Sequence, residues 1–90
     1  MLKQELSFRS LFEKIDYISN ETAFKILELS QHQTPNITTL SKKVNLKYNK
    51  CSDYVREMEK LGLIKKRRNG KEVLVKARIS LAKLQIFFND

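Results

Sequence analysis

Gly62 separates two segments of the chain in which apolar residues follow different periods. Upstream of it they recur at helical spacing, which predicts a helix over residues 48–60 with Gly62 as its C-terminal cap. Downstream, over residues 63–77, the period is two, and the Asn-Gly pair at positions 69–70 interrupts it as a hairpin signal. A helix followed at once by a β-hairpin is the first constraint on the fold.

The hairpin turn fixes a predicted register for the two strands. A two-residue loop at positions 69–70 sets Arg67 opposite Glu72 as an opposite-charge pair, and Lys65 opposite Leu74. The tip of the hairpin is then basic and exposed. The same register predicts a buried face formed by the apolar side chains Ile64, Val73 and Val75.

A helix is also predicted ahead of the only proline. Ser19, Asn20 and Glu21 supply a cap and a favourable acidic first turn for a helix that ends near Gln31. Pro35 then interrupts helical pairing. Four residues of this helix are expected to face inward: Ala23, Ile26, Leu27 and Ser30.

A short helix should connect this helix to residues 48–60. Thr38, preceded by apolar Ile37, is predicted as its N-cap, and the helix runs through Val44. Ile37 could pair as a very short strand. Asn45 tolerates a left-handed backbone, so the chain can reverse direction there without glycine.

The two ends of the chain add helical patterns. Residues 2–18 form an amphipathic extension, and Ser80 is predicted to cap a C-terminal helix over residues 79–90 that begins at Leu81. Ninety residues suffice for one domain, here with a core over residues 20–77. The expected fold is mainly α with a small β-hairpin, a winged helix-turn-helix with additional N-terminal and C-terminal helices.

The net charge of +8 is concentrated in one part of the chain. Residues 42–78 hold thirteen basic and four acidic side chains, a net charge of +9. Because such segregation suits a polyanion, nucleic acid is the first expected partner and an anionic membrane the second.

Several other classes of protein are disfavoured by the sequence. We expect no membrane span and no secretory signal, and hence a cytoplasmic protein. Cys51 and His32 are the only residues of their types, so neither a disulfide nor a tetrahedral zinc site can form within the chain. No catalytic motif is present, and we expect neither enzymatic activity nor a cofactor. Cys51 is interpreted as a packing residue rather than a redox sensor, and His32 as an ordinary loop residue.

The helix over residues 48–60 has one apolar and one polar side. Cys51, Val55 and Met58 share the core side. The opposite side carries residue types that suit base edges in the major groove, namely Asn49, Asp53, Arg56 and Lys60. An ordinary solvated face with an Asp53–Arg56 pair is the alternative interpretation.

Basic residues flank this helix on both sides. The hairpin tip could reach an adjacent minor groove or phosphates through Arg67, Arg68 and Lys71. Phosphate contacts are also predicted for Lys42, Lys43, Lys47 and Lys60.

The stretch ITTLSKKVNLKYNKCSDYVREMEKLGLIKKRRNGKEVLV, residues 37–75, resembles the winged helix-turn-helix of the MarR-like and ArsR-like prokaryotic transcription regulators, including archaeal and archaeal-viral versions. The likeness covers about 39 residues, from a short helix with Ser41 as its small residue to the Leu-Gly-Leu-Ile run and basic wing. Lys47 and Tyr48 depart from it where a Ser cap is common, and Cys51 replaces an aliphatic residue.

The resemblance implies DNA binding, with base contacts from one helix and backbone contacts from the wing. The positions of the residues around the helix independently support base contacts from Asn49, Asp53 and Arg56. They disfavour a base contact from Tyr48, whose side chain is expected to lie partly toward the core edge. The implied base-reading residues are Tyr48, Asn49, Lys50, Ser52, Asp53 and Arg56, and the wing residues are Arg67, Arg68 and Lys71.

Apolar residues at both ends exceed what a minimal winged helix needs. A homodimer that reads two half-sites about 34 Å apart is therefore favoured over packing within one chain. The predicted dimer interface comprises Leu6, Phe8, Leu11, Phe12, Ile15, Leu84, Phe87 and Phe88.

A sequence-specific DNA-binding regulator that represses by blocking promoter access is the leading functional hypothesis. A nonspecific architectural DNA-binding protein is the second, and a winged helix used for protein association is the third. Membrane association ranks fourth, because the N-terminal segment lacks a lysine-rich polar face.

Overall fold

The computed structural model describes residues 16–17 and 19–82 of the chain. Three helices, α1 (Glu21–Leu29), α2 (Ile37–Lys43) and α3 (Tyr48–Lys60), precede two strands, β1 (Ile64–Asn69) and β2 (Glu72–Ala77). The predicted winged helix-turn-helix order is confirmed, and the helix over residues 48–60 is confirmed to the residue.

Helix α1 begins where the sequence predicts it. Asn20 caps it, because its side-chain Oδ1 accepts hydrogen bonds from the backbone N–H groups of Thr22 at 2.9 Å and Ala23 at 3.1 Å. The helix ends at Leu29, two residues before the predicted end near Gln31. The predicted inward face is confirmed, since four side chains have no exposed surface: Ala23, Ile26, Leu27 and Ser30.

Helix α2 begins two residues earlier than predicted, and Thr38 is not its cap. Asn36 is the N-cap, and its Oδ1 accepts a hydrogen bond from the N–H of Thr39 at 2.7 Å. The expected strand pairing of Ile37 is wrong for the same reason, because Ile37 is already helical and buried. The isolated β-bridge forms instead between Asn36 and Leu74.

Helices α2 and α3 both end in a left-handed residue that reverses the chain. Asn45 has φ 57° and Gly62 has φ 77°, as predicted for both positions. After α3, the N–H groups of Leu63 and Gly62 donate to the carbonyls of Met58 and Glu59 at 2.9 and 3.0 Å, which is a Schellman motif. These two turns set the directions of the chain into and out of α3.

The strand register differs from the predicted one. Asn69 pairs with Glu72, so the two-residue loop is formed by Gly70 and Lys71 rather than by positions 69–70. Gly70 is the loop residue with positive φ, at 64°, which is the glycine position of a type II′ turn. Asn69 therefore stays in the strand, and Arg67 lies opposite Leu74 instead of Glu72.

The predicted buried face of the hairpin is retained despite this difference. The partner of each β1 residue lies two positions further along β2 than predicted, and a displacement of two keeps every side chain on its original face. Ile64 and Val75 are fully buried, and Val73 is half-buried.

The hairpin packs against one apolar core shared with the helices. Leu63, Ile64 and Val75 join the buried side chains of α1, α2 and α3. The outer edge of β2 is closed by the preceding segments, because the N–H groups of Val75 and Ala77 donate to the carbonyls of Pro35 at 2.9 Å and Ser30 at 3.0 Å.

The chain after β2 is fixed to α1 by one side chain. The Gln31 amide donates to the carbonyl of Ile79 at 2.9 Å and accepts a hydrogen bond from the N–H of Leu81 at 3.0 Å. A helix begins at Leu81, next to Ser80 as predicted. The remaining residues of the two terminal segments lie outside the described residues, and so does the whole predicted dimer interface, that is Leu6, Phe8, Leu11, Phe12, Ile15, Leu84, Phe87 and Phe88.

Candidate nucleic-acid interface

Helix α3 separates a core side from a polar side, as the sequence predicts. Cys51, Val55 and Met58 have no exposed surface, whereas the polar side is open to solvent. The exposed residues of that side are Asn49, Asp53, Arg56 and Lys60. The helix thus presents donors and acceptors suited to base edges outward, while three buried residues hold it to the core.

The N-terminus of α3 is open. Lys47 occupies the N-cap position and makes no side-chain capping bond, in contrast to Asn20 and Asn36 at the other two helices. The first three residues, Tyr48, Asn49 and Lys50, are all exposed. Their backbone N–H groups have no intrahelical acceptor, so this end of the helix offers oriented donors to an anion.

Tyr48 lies further from the core than the facing analysis expects. Its side chain is 45% exposed. A helical side chain leans over the turn that precedes it, and at the first position of α3 there is no such turn to cover. The Tyr48 side chain is therefore open to solvent at the start of α3, where a nucleic acid could contact it.

Two predicted base-reading residues, Asp53 and Arg56, pair with each other. Arg56 Nη2 donates to Asp53 Oδ1 at 3.1 Å, with side chains that are 59% and 61% exposed. An exposed pair one helical turn apart contributes little to stability, so exchanging it for contacts to bases costs little. Ser52, a third predicted contact residue, is half-buried and lies toward the edge of the reading face.

The predicted phosphate-binding lysines surround α3. Lys42 and Lys43 are exposed in the last turn of α2, where their positive charges also interact favourably with the negative end of the helix dipole. Lys47 lies in the turn before α3 and Lys60 in its last turn, and both are exposed.

The wing places its predicted arginines on opposite faces. The tip residues Arg67, Arg68 and Lys71 are exposed. Because side chains alternate along a strand, Arg68 shares the core-side face with Lys66, whereas Arg67 shares the outer face with Lys65. Lys65 and its cross-strand partner Lys76 are also exposed cations. The sequence analysis names neither as a site residue, although the period of two already places Lys65 on the outer face.

Glu59 connects α3 to the wing. Its Oε2 accepts a hydrogen bond from the backbone N–H of Lys66 at 3.0 Å, and its Oε1 lies 3.7 Å from Lys66 Nζ. The Lys66 N–H faces away from β2, so Glu59 satisfies a donor on the open edge of β1. Sequence reasoning missed this residue, since its partner lies in a different element.

A second contact fixes the middle of α3 to the start of α1. The Asn20 Nδ2 donates to the Tyr54 hydroxyl at 3.3 Å, and the Tyr17 and Tyr54 rings meet edge to face with centroids 6.3 Å apart. Burial, followed by the Glu57 carboxylate and Tyr54, raises the pKa of the Tyr17 hydroxyl. The Tyr17 hydroxyl therefore stays protonated at neutral pH beside the helix.

Cys51 and His32, each the only residue of its type in the sequence, do not belong to a catalytic or metal-binding cluster among the described residues. Cys51 is fully buried, and burial raises the pKa of its thiol, which agrees with the packing interpretation. His32 is exposed in the loop after α1. Within residues 16–17 and 19–82, no group of three or more potential ligands could hold a metal ion. None of the helices in the same residues reaches the length and apolarity of a membrane span.

Comparison with known proteins agrees with this arrangement. A family model described as winged helix-turn-helix matches residues 18–85. No curated protein matches the chain significantly.

Several solved structures share the fold at low sequence identity. Reduced HlyU from Vibrio cholerae aligns over 100% of both chains with a TM-score of 0.79 and 15% identity. The homodimeric DNA-binding domain of Mb0332 from Mycobacterium bovis, described as a possible ArsR-family regulator, has a TM-score of 0.79 and 14% identity over 96% of this chain and 81% of that one. NolR from Sinorhizobium fredii has a TM-score of 0.76 and 14% identity over 98% and 93% of the two chains.

Proposed function

The chain belongs to the winged helix-turn-helix family, and from this membership we propose that it is a transcription regulator that binds double-stranded DNA. Helix α3 enters the major groove and the wing contacts the adjacent minor groove or phosphates. The observation that carries the proposal is the open face of α3, which combines an uncapped N-terminus with exposed Asn, Asp and Arg side chains.

Base contacts are assigned to the exposed side of α3. Asn49 can bond adenine N6 and N7, Arg56 can bond guanine O6 and N7, and Asp53 can accept from cytosine N4. Binding of this kind opens the Asp53–Arg56 pair. Tyr48, Lys50 and Ser52 complete the proposed base-reading set, as the family resemblance implies.

Phosphate contacts fix the position of α3 in the groove. The open N-terminus of α3, the lysines Lys42, Lys43 and Lys47 before it, and Lys60 in the last turn of the helix supply charge-assisted hydrogen bonds to the DNA backbone. Arg67, Arg68 and Lys71 extend these contacts along the wing.

Dimerisation and repression are parts of the same proposal. A two-fold dimer would read two half-sites about 34 Å apart, and its interface would comprise the apolar residues of the two terminal segments named above. The Mb0332 domain, one of the structural neighbours, is described as homodimeric. Bound across a promoter, such a dimer would act as a repressor by blocking access.

The test is selection of bound fragments from a genomic DNA pool, followed by titration of the preferred duplex and a scrambled duplex. Each bidentate base contact contributes about 1–3 kcal/mol of discrimination, so Arg56→Ala or Asn49→Ala should reduce the preference roughly 5- to 150-fold. The log of the affinity should fall with log salt by about 0.9 per phosphate contact.

Lys25→Ala is the matched control, because Lys25 is an exposed cation on α1, paired with Glu28 at 3.2 Å and outside the proposed interface. It should leave both affinity and preference unchanged. Equal binding of both duplexes by wild type and variants would refute sequence reading and favour an architectural DNA-binding protein. No binding at low salt, together with co-purification of an acidic protein, would favour a protein-association module.

A further inference from the structure

The outer face of the wing carries a cluster of cations outside the α3 reading face. Lys65 and Lys76 are direct cross-strand partners, and Arg67 lies two residues along β1 from Lys65. All three are exposed, and none of them forms an ion pair within the part of the chain that the structure describes. On the opposite face of the same hairpin, Lys66 has Glu59 as its partner.

This placement does not help the hairpin to fold. Like charges directly opposite one another across a strand pair are destabilising, and the lysine stems contribute only modest packing. Glu72 is the acidic residue of this face, and its carboxylate accepts a hydrogen bond from the Asn36 amide at 2.9 Å. The three cations are therefore left to the solvent, or to a ligand.

The cations line a shallow groove of about 250 Å³ formed by Thr34, Lys65, Arg67, Leu74 and Lys76. Half-buried Leu74 contributes an apolar surface between the charged rims, and the exposed Thr34 contributes a hydroxyl. Sugar-phosphate backbone has matching chemistry, because the sugar presents apolar surface and the phosphates present charge.

The groove is held in shape by the strand edge beneath it. The segment that carries Thr34 is joined to β2 through the Val75 N–H, which donates to the Pro35 carbonyl at 2.9 Å, and through the Asn36–Leu74 bridge. The surface is therefore preformed, and a ligand that binds to it incurs little entropic cost for ordering the protein.

We propose that this outer face, Lys65, Arg67 and Lys76 around Leu74, is a second phosphate-binding surface, which holds duplex DNA flanking the segment read by α3. The inference rests on the proposed function and extends it, because it assigns DNA contacts to the side of the wing rather than to its tip alone. Flanking DNA that follows this face lengthens the footprint of the protein.

The test compares wild type with the double variant Lys65→Gln/Lys76→Gln, which removes two charges and keeps polar side chains at both positions. Affinities are measured over a salt series for the selected site in a short duplex of about two helical turns, which just spans both half-sites, and in a duplex with about 15 extra base pairs on each side. The variant should bind the short duplex as wild type does. On the long duplex its salt slope should be smaller by about 2 per protomer, with unchanged preference for the selected sequence.

Thermal unfolding of the free proteins checks that the variant folds, and its Tm at low salt should equal or exceed that of wild type because a like-charge pair is removed. Equal salt slopes for wild type and variant on the long duplex would overturn the inference while leaving the proposed function intact. Loss of sequence preference in the variant would also overturn it, since the face would then act in base reading. Failure of wild type to bind any duplex would refute the proposed function and this inference together.

Discussion

Removing the Glu59 carboxylate should loosen the wing from α3. Glu59 accepts the backbone N–H of Lys66 at 3.0 Å, and a hydrogen bond to a charged group contributes about 1.5–3 kcal/mol. The accompanying ion pair, at 3.7 Å with side chains 34% and 39% exposed, adds at most about 1 kcal/mol. We therefore expect Glu59→Ala to lower the free energy of unfolding by about 2 kcal/mol, and Glu59→Gln, which retains an acceptor, by about half as much.

Thermal and urea unfolding measure this difference. For a domain of this size 1 kcal/mol corresponds to a shift of about 4–8 °C in Tm. Lys66→Gln separates the two contributions, because it removes the ion pair and keeps the backbone bond, and it should cost less than about 1 kcal/mol. Glu57→Gln is the matched control, since Glu57 is an exposed acid on the same helix and should change stability by less than about 0.5 kcal/mol.

The functional consequence follows from the position of the bond. If Glu59 holds the wing at a fixed angle to α3, Glu59→Ala should weaken binding of the preferred duplex even at temperatures where the variant is fully folded. A Glu59→Ala protein that is as stable as Glu57→Gln and binds DNA like wild type would refute the reasoning.

Three further predictions follow from single contacts. Gly62→Ala forces a Cβ into φ 77° and should cost about 1–2 kcal/mol in urea unfolding, whereas an alanine at an exposed helical position such as Lys25 should cost under about 0.5 kcal/mol. Asn20→Ala should cost about 1 kcal/mol by removing the α1 cap, and Asn20→Asp should restore most of that loss, since it keeps the acceptor; equal stabilities of the two variants would contradict the capping role. Cys51 is buried with a raised thiol pKa, so it should react with a thiol reagent on the order of 100-fold or more slowly in the native protein than in the urea-unfolded protein. The free energy of unfolding should also decline as pH rises past the ordinary thiol pKa of about 8.5, because only the thiol of the unfolded state ionises there. Rapid labelling of the native protein would show that Cys51 is accessible.

Local pattern was sufficient for the three helices and two strands of the described residues and for the division of α3 into two faces. A helix of thirteen residues with apolar positions at helical spacing and a glycine after its last turn leaves little freedom, and its bounds were predicted to the residue. The turn at Asn45 was equally predictable, because few other residues tolerate its backbone conformation.

The errors arose where two nearby residues or residue pairs could perform the same local task. Asn36 and Thr38 are both good N-caps. Asn36 caps the helix because it also forms a β-bridge with Leu74 and donates a hydrogen bond to Glu72, and both of these contacts are to a strand that begins 36 residues further along the chain. Asn69-Gly70 and Gly70-Lys71 can both form tight turns, and periodicity cannot separate registers that differ by two, since both bury the same face. In each case a contact distant in sequence decided between options that were locally similar.

The same kind of distant contact joins α3 and the wing into the one surface that we propose binds DNA. Glu59 ties β1 to the end of α3, Pro35 and Asn36 close the other edge of the hairpin, and Asn20 holds Tyr54 in the middle of the helix. A wing fixed on both edges does not have to be ordered when DNA binds, so the charge of its tip and outer face acts from a defined distance and direction relative to α3. If DNA binds as proposed, we expect sequence preference to change with substitutions on the exposed side of α3 and electrostatic affinity to change with substitutions on the wing. The two can then be altered separately, because neither set of exposed residues is needed to hold the other in place.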